Sequence, residues 1–369
     1  MTTASPFNSP FKTFHADATL GEVDGWNMPL HYGDALAEHA QCRDSGAIFD
    51  LSHLGRLRLS GHHACTLLET ALTRKVTDMP PRTCREAVVC NPQGGIIDVV
   101  SVYRYEDQWL LVTNAAGRHP VHAHLSALIQ ANDFSVKLVD ETQKTAMLSV
   151  QGPKVTAKIG AFSREIPTLK PWTFTLKNLL VFKMTVSRTG FTGGDGVEIM
   201  LGVNAAAMAI KLLLKDKSQD ATIKPAGLHA RETLRIEAGL PALGHELTAD
   251  IDPLSVGLSH AINLDKHRDD SDVPVPRFIG QDALEKIAAS GPPKRLIRMA
   301  LEAPVQSGTT LSVNGQPAGN ITSVATLPSG NVIALALVQA STPQDNKMTL
   351  CANTKAGPIA GQMLSPRLS

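Results

Sequence analysis

At 369 residues the chain exceeds the size at which one hydrophobic core keeps growing, so two or three domains are expected. Its 35 basic and 34 acidic residues leave a net charge of +1, which excludes the concentrated basic field of a general nucleic-acid or anionic-membrane binder. Hydrophobic content of 43% is that of an ordinary soluble protein, and no apolar run reaches the roughly 20 residues needed to span a bilayer.

The lead-in, residues 1 to 22, reads as loosely structured and has neither the apolar core of a signal peptide nor an Arg-rich amphipathic character. The five cysteines (42, 65, 84, 90 and 351) are scattered, with no C-x-x-C pair, and the 13 histidines show no metal-ligand spacing. A cytoplasmic protein with reduced thiols and no metal centre is expected. Asp24 to Tyr32 follows as a turn entering a short extended segment stopped by Pro29, then a short helix over Ala35 to Ser45 with Gly46 as its C-cap. Ala47 to Leu54 and Gly55 to Leu59 read as consecutive strands and His62 to Leu72 as a helix. Ala87 to Cys90 and Gly95 to Tyr105 are strands joined by the turn Asn91 to Gly95; Trp109 to Thr113 extends the sheet, and His119 to Ile129 is helical. Ala146 to Pro153 is a buried strand ending in a turn, with a helix after Pro153.

The stretch from Ser187 to Ile199 is strand, glycine-rich turn, strand. Leu179 to Val186 leads in, Val197 to Leu201 leads out, and glycines 190, 193, 194 and 196 permit positive φ or close backbone approach to a ligand. Glu198 stands alone in its apolar strand: on spacing alone it faces solvent, and if buried it needs a partner or a ligand. Ala205 to Leu214 forms a helix with Asn204 as N-cap, and Lys215 to Thr222 is a polar loop. The helix Ala226 to Ala238 stops at Gly239 and Pro241 and carries Arg231 and Arg235 on one face, where a buried arginine needs a carboxylate. Residues 267 to 276 are a charged, proline-containing linker. Gly280 to Ser290 is a helix, and Leu296 to Pro366 reads as an all-β unit. The class is α+β with antiparallel sheets and a β-rich C-terminus.

Other features divide between structure and chemistry. Gly94-Gly-Ile-Ile-Asp98 reads first as a hairpin with Asp98 near a strand start, and Asn114 as either a turn residue or a polar pocket contact. Ser52-His53 lacks a G-x-S-x-G elbow and an assignable carboxylate, and the Gly-Gly turns lack Walker A or G-x-G-x-x-G context.

Taken in order, Gly25-Trp-Asn-Met-Pro-Leu-His-Tyr32, Phe49-Asp-Leu-Ser-His-Leu54, Gly94-Gly-Ile-Ile-Asp98, Val112-Thr-Asn-Ala-Ala116, Gln151-Gly-Pro153, Ser187 to Glu198, Ala226 to Gly239, Pro253 to Ser259 and Phe278-Ile-Gly280 resemble the glycine-cleavage T-protein (aminomethyltransferase) family. The resemblance spans roughly residues 20 to 340. It implies a three-domain arrangement around a central cavity holding tetrahydrofolate: residues 1–50 with 145–266, an inserted unit at 51–144, and a β-barrel-like unit at 277–369. It also implies that Glu198 grips the pterin and Arg231 contacts the folate, with Leu54, Val99, Asn114 and Phe191 completing the binding set. In the family, a one-carbon unit passes from an aminomethyl-lipoyl arm on a glycine-cleavage H-protein type carrier to tetrahydrofolate, with release of ammonia.

Three departures from the family pattern stand out. Val99 occupies the place of the catalytic aspartate, the second of a pair whose first member matches Asp98; Asp98 is the catalytic candidate that remains, although alternation on a strand points these neighbours to opposite faces. Phe191 stands where a tyrosine is usual, and Leu364 to Ser369 lacks the aromatic and basic residues that often close the folate site. Beside aminomethyl transfer, Val99 therefore admits two alternatives: a relative that demethylates a small N- or S-methyl compound onto tetrahydrofolate, or a folate-binding protein without turnover.

Overall fold

The computed structural model describes residues 6–160, 163–179, 182–214, 220–268, 275–343 and 349–367. Within them, the strand-and-turn patterning resolves into three open sheets and a closed barrel. The six-stranded sheet runs, in spatial order, Phe174–Leu179, Phe182–Ser187, Gly196–Gly202, Thr145–Gln151, Ala47–Asp50 and Lys224–Pro225. All its pairs are antiparallel except the last. Strand Gly196–Gly202 is the outgoing limb of the glycine-rich turn. Its Val197, Ile199 and Leu201 pack with Val155 and Ile210 from the helices Val155–Gly160 and Ala206–Leu213. The period-2 pleat sends Glu198 and Met200 to the other face, where Met200 joins Met147, Tyr103, Phe174 and Leu234 in a second core.

The five-stranded sheet contains Thr83–Cys90, Ile96–Arg104, Trp109–Thr113, Gly55–Ser60 and Lys137–Asp140, all antiparallel. Leu67, Leu68, Val121 and Leu125, from helices Ala64–Ala71 and Arg118–Ala131, cover one face by packing on Val89, Val100 and Leu111. The two strands expected in tandem at 47–59 part company: Ala47–Asp50 joins the six-stranded sheet and Gly55–Ser60 the five-stranded one. The turn carrying Leu54 thus bridges two sheets. Buried Arg56 pins it by donating to the Ser52 carbonyl at 2.9 Å and to Thr145 Oγ1 at 2.8 Å.

Six strands from Lys294–Leu301 to Gly357–Met363 close into a barrel, the last pairing with the first. This is the all-β C-terminus expected from its short, turn-separated runs. Helix Leu228–Ala238 lies between sheet and barrel: Leu234 packs with Phe49, and Ile236 with Leu335 of the barrel. Gly239 ends it at φ +77°, a left-handed conformation that favours glycine, and donates to the Arg235 and Ile236 carbonyls. All five cysteines are free, and no helix among the described residues is long and apolar enough to cross a membrane.

Several expectations are corrected. The lead-in is structured from residue 6, with strands Phe7–Asn8 and Thr19–Val23 flanking a 3-10 turn at Phe14–Asp17. Ser9 Oγ and His15 Nε2 both bond the buried Asp50 carboxylate, and Phe11 is buried in the core with Phe14 packed against it, so polar and apolar anchors together order this segment. The first long helix ends at Asp44 with Ser45 as its cap; Gly46 is needed for room, since a Cβ there would lie 2.8 Å from Val155. Asn204 makes no cap bond, because residues Val203–Ala205 form a 3-10 turn and the helix begins at Ala206. Residues 215–219 of the expected polar loop and 269–274 of the expected linker lie outside the described residues.

Candidate functional site

Where the uncovered face of the five-stranded sheet, the Glu198 face of the six-stranded sheet and helix Leu228–Ala238 converge, they leave a cavity of about 580 Å³. Leu54, Val99, Asn114, Phe191, Glu198 and Arg231, brought from five separate stretches of chain, all line it. Asp98 does not.

Glu198 is buried, at 8% exposure, so the solvent-facing reading of its strand fails. Its Oε2 accepts the Thr189 hydroxyl at 2.5 Å, and Thr189 is held in turn by Ser187 Oγ at 2.7 Å. Burial pushes the Glu198 carboxyl above its ordinary range, while the Thr189 bond and the nearby Arg231 charge pull it back. Arg231 itself is depressed by burial and supported chiefly by Glu198; its guanidinium lies 5.0 Å from the Phe191 ring centroid. Phe191 therefore supplies a cation–π face without a hydroxyl. Arg235, on the same helix, serves the scaffold instead: it is fully buried, donating to Glu246 at 2.9 Å and to the barrel's Ser323 at 2.7 Å.

The glycine-rich turn works through Gln151. Its Nε2 donates to the Thr189 carbonyl at 3.1 Å, and its Oε1 accepts from Thr192 at 3.2 Å. A Cβ on Gly190 would lie 2.0 Å from Gln151 Oε1, and one on Gly196 would lie 2.4 Å from the Val150 carbonyl. Only Gly193 of the four glycines has positive φ, at +74°. The close approach expected toward a ligand is thus made, at these glycines, to the protein itself, and it fixes Thr189 beside Glu198.

Val99 and Asp98 diverge as alternation requires. Val99 puts an apolar side chain on the wall, while Asp98 is fully buried behind it. The Asp98 carboxylate accepts from the Asn114 backbone N–H at 3.0 Å, Asn114 Nδ2 at 2.6 Å and the Val99 N–H at 2.9 Å. Burial raises it to about 7 against these three donors. Gly117 makes room, since a Cβ there would sit 2.1 Å from Asp98 Oδ2. Asp98 thus orients Asn114, which faces the cavity.

The Ser52-His53 neighbours separate: Ser52 Oγ accepts the Met147 N–H at 3.3 Å, while burial and Arg231 push His53 down to about 3. Several wall residues carried no sequence signal, because each comes from a different element. Glu86 pairs with His260 at 2.7 Å. Trp172, 41% exposed at the rim, is held at φ +61° by bonds from Cys84 N–H and to the Arg188 carbonyl. An aromatic residue in the left-handed region is uncommon and marks strain of the kind found at binding sites. Arg367 also lines the cavity, which corrects the reading of the C-terminal tail as lacking a basic residue there. The tail passes close over Gly239, where a Cβ would meet the Pro366 carbonyl at 2.1 Å.

The GCVT N-terminal domain family matches residues 12–266. An aminomethyltransferase of Saccharopolyspora erythraea is 33% identical over 332 residues, covering 88% of each chain. One of Deinococcus deserti is 34% identical over 347 residues, covering 93% of this chain and 91% of that one. Among solved structures, the glycine cleavage system aminomethyltransferase T from Bartonella henselae superposes with a TM-score of 0.85 at 26% identity, covering 97% of this chain and 96% of the other.

Proposed function

The chain belongs to the glycine-cleavage T-protein (aminomethyltransferase) family of enzymes, and on that premise we propose that its cavity binds tetrahydrofolate and passes to it a one-carbon unit from an aminomethyl-lipoyl arm. The observation that carries this reading is the buried Glu198 carboxylate on the cavity wall, next to Thr189 and Arg231. The residues present fit the group. The cavity is of small-molecule size. Leu54, Val99, Val112 and Met147 give apolar walls for a planar ring, and Arg74, Lys170 and Arg367 add cations suited to carboxylates.

Tetrahydrofolate, when bound, supplies the nucleophilic nitrogens that take up the one-carbon unit. Glu198, as an anion, accepts the paired N–H donors of the pterin's 2-amino and N3 edge, and exclusion of water strengthens those bonds. Thr189 holds that carboxylate in place, and Arg231 keeps it anionic. Asn114, fixed by Asp98, offers an amide to the same cavity. The donor's carrier in this reading is a lipoylated protein of the glycine-cleavage H type. Val99, apolar where the family uses an acid, favours a second reading in which a small N- or S-methyl compound is the donor.

Ammonia release from an aminomethylated lipoyl carrier plus tetrahydrofolate tests the first reading. The wild type is expected to turn over. Ammonia from Val99→Asp alone would point to a lapsed enzyme, and release of one-carbon units only from methylated donors would establish the second reading.

A further inference from the structure

The cavity wall holds a second carboxylate besides Glu198, and it stands beside the position that Val99 leaves apolar. In the antiparallel pair of strands Thr83–Cys90 and Ile96–Arg104, Val88 lies opposite Val99 and Glu86 opposite Ser101. Opposed residues share a face, so Glu86 is a diagonal neighbour of Val99 on the cavity side, with β-carbons about 7–8 Å apart. Its Oε2 lies 2.7 Å from Nε2 of His260, a residue 174 positions away in the chain. Both side chains line the cavity and are partly exposed, 23% for Glu86 and 43% for His260. A contact between side chains this exposed adds little to stability, and its place on the cavity wall is what sets it apart.

We infer that His260, oriented by Glu86, accepts and returns protons during the transfer, replacing the carboxylate that position 99 lacks. This rests on the aminomethyl-transfer reading. In that net reaction the donor carbon loses its C–N and C–S bonds and forms two C–N bonds to the acceptor amines. Those amines shed two protons: the departing ammonia takes one and the departing thiolate the other, with no change in oxidation state. Glu86 at Nε2 fixes the neutral ring's proton on that nitrogen, which leaves Nδ1 as the base. The charged groups facing the pair are Arg74, whose charge is felt by Glu86, and Arg85, which is turned toward Asp78 at 2.7 Å. Lys170 and Arg367 lie on the same wall.

Single-turnover ammonia release is measured against pH with aminomethylated lipoyl carrier and tetrahydrofolate, in wild type, Glu86→Gln, His260→Gln and Glu86→Gln with Val99→Asp. His260→Gln is expected to lose about 10²-fold or more in rate. Glu86→Gln should also lose rate, and adding Val99→Asp should restore most of what it loses. Rates are taken at saturating tetrahydrofolate, so that a change of affinity in either variant does not register in them. Wild-type turnover with both single variants showing unchanged profiles would overturn the relay and leave the transfer reading standing. Absence of wild-type ammonia release despite tetrahydrofolate binding would overturn the transfer reading, and the relay with it.

Discussion

A glutamate inside an apolar strand survives only where something meets its charge, and Glu198 has Thr189, Arg231 and a cavity to do so. Because burial raises its carboxyl, protonation sets in at higher pH than for an ordinary glutamate. Tetrahydrofolate affinity is therefore expected to weaken as pH falls, beginning above the usual carboxylate range; a flat binding profile from pH 7 to 5 would contradict this. Asp98 makes a separate prediction about stability. Its folded value of about 7 exceeds the ordinary 3.8, so the folded state binds the proton more tightly. That contribution is complete below about pH 4 and is lost as pH rises through about 7. Denaturant unfolding at a series of pH values should show stability declining across this window by up to roughly 1.4 kcal/mol per pH unit, with the slope removed in Asp98→Asn whatever that variant's absolute stability.

At the scale of the element, the glycine-rich turn and the helix behind the cavity are both organised by polar side chains that hydropathy patterning passes over. Gln151 packs against Gly190 and Gly196 and fixes the turn. Arg235 and Glu246 tie helix Leu228–Ala238 to the barrel through Ser323, with both charged groups wholly buried. Removing Glu246 takes the buried counter-charge from Arg235 and leaves its guanidinium the partly exposed Glu232 in its place. Glu246→Ala is thus expected to cost about 3–5 kcal/mol in urea unfolding, against little for removal of the exposed pair Arg268–Asp265. The sequence made Arg231 and Arg235 look alike at i, i+4; what separates them is long-range, since the barrel and its approach meet one and the cavity meets the other.

At the scale of the molecule, apolar runs bounded by glycine, proline and asparagine turns, as at Val197 to Leu201 and Gly95 to Tyr105, and the glycine stop at Gly239, made most elements and the β-rich C-terminus legible. Segments ordered by scattered long-range contacts were not, as in the lead-in held by Asp50 through Ser9 and His15 and by burial of Phe11. The same division runs through the site. Leu54, Val99, Asn114, Phe191, Glu198 and Arg231 lay in motifs that the family resemblance could align, and they meet at one cavity. Glu86, His260, Trp172 and Arg367 reach that cavity only through sheet register and the path of the tail, which no local pattern encodes. In the proposed reading, the molecule pairs a tetrahydrofolate-binding face built around Glu198 with an apolar wall at Val99. Equilibrium binding of tetrahydrofolate to the wild type and to Glu198→Ala tests this account most directly. Loss of the charge-assisted bonds should weaken binding by about 10- to 100-fold, whereas equal affinity in the two proteins would contradict it.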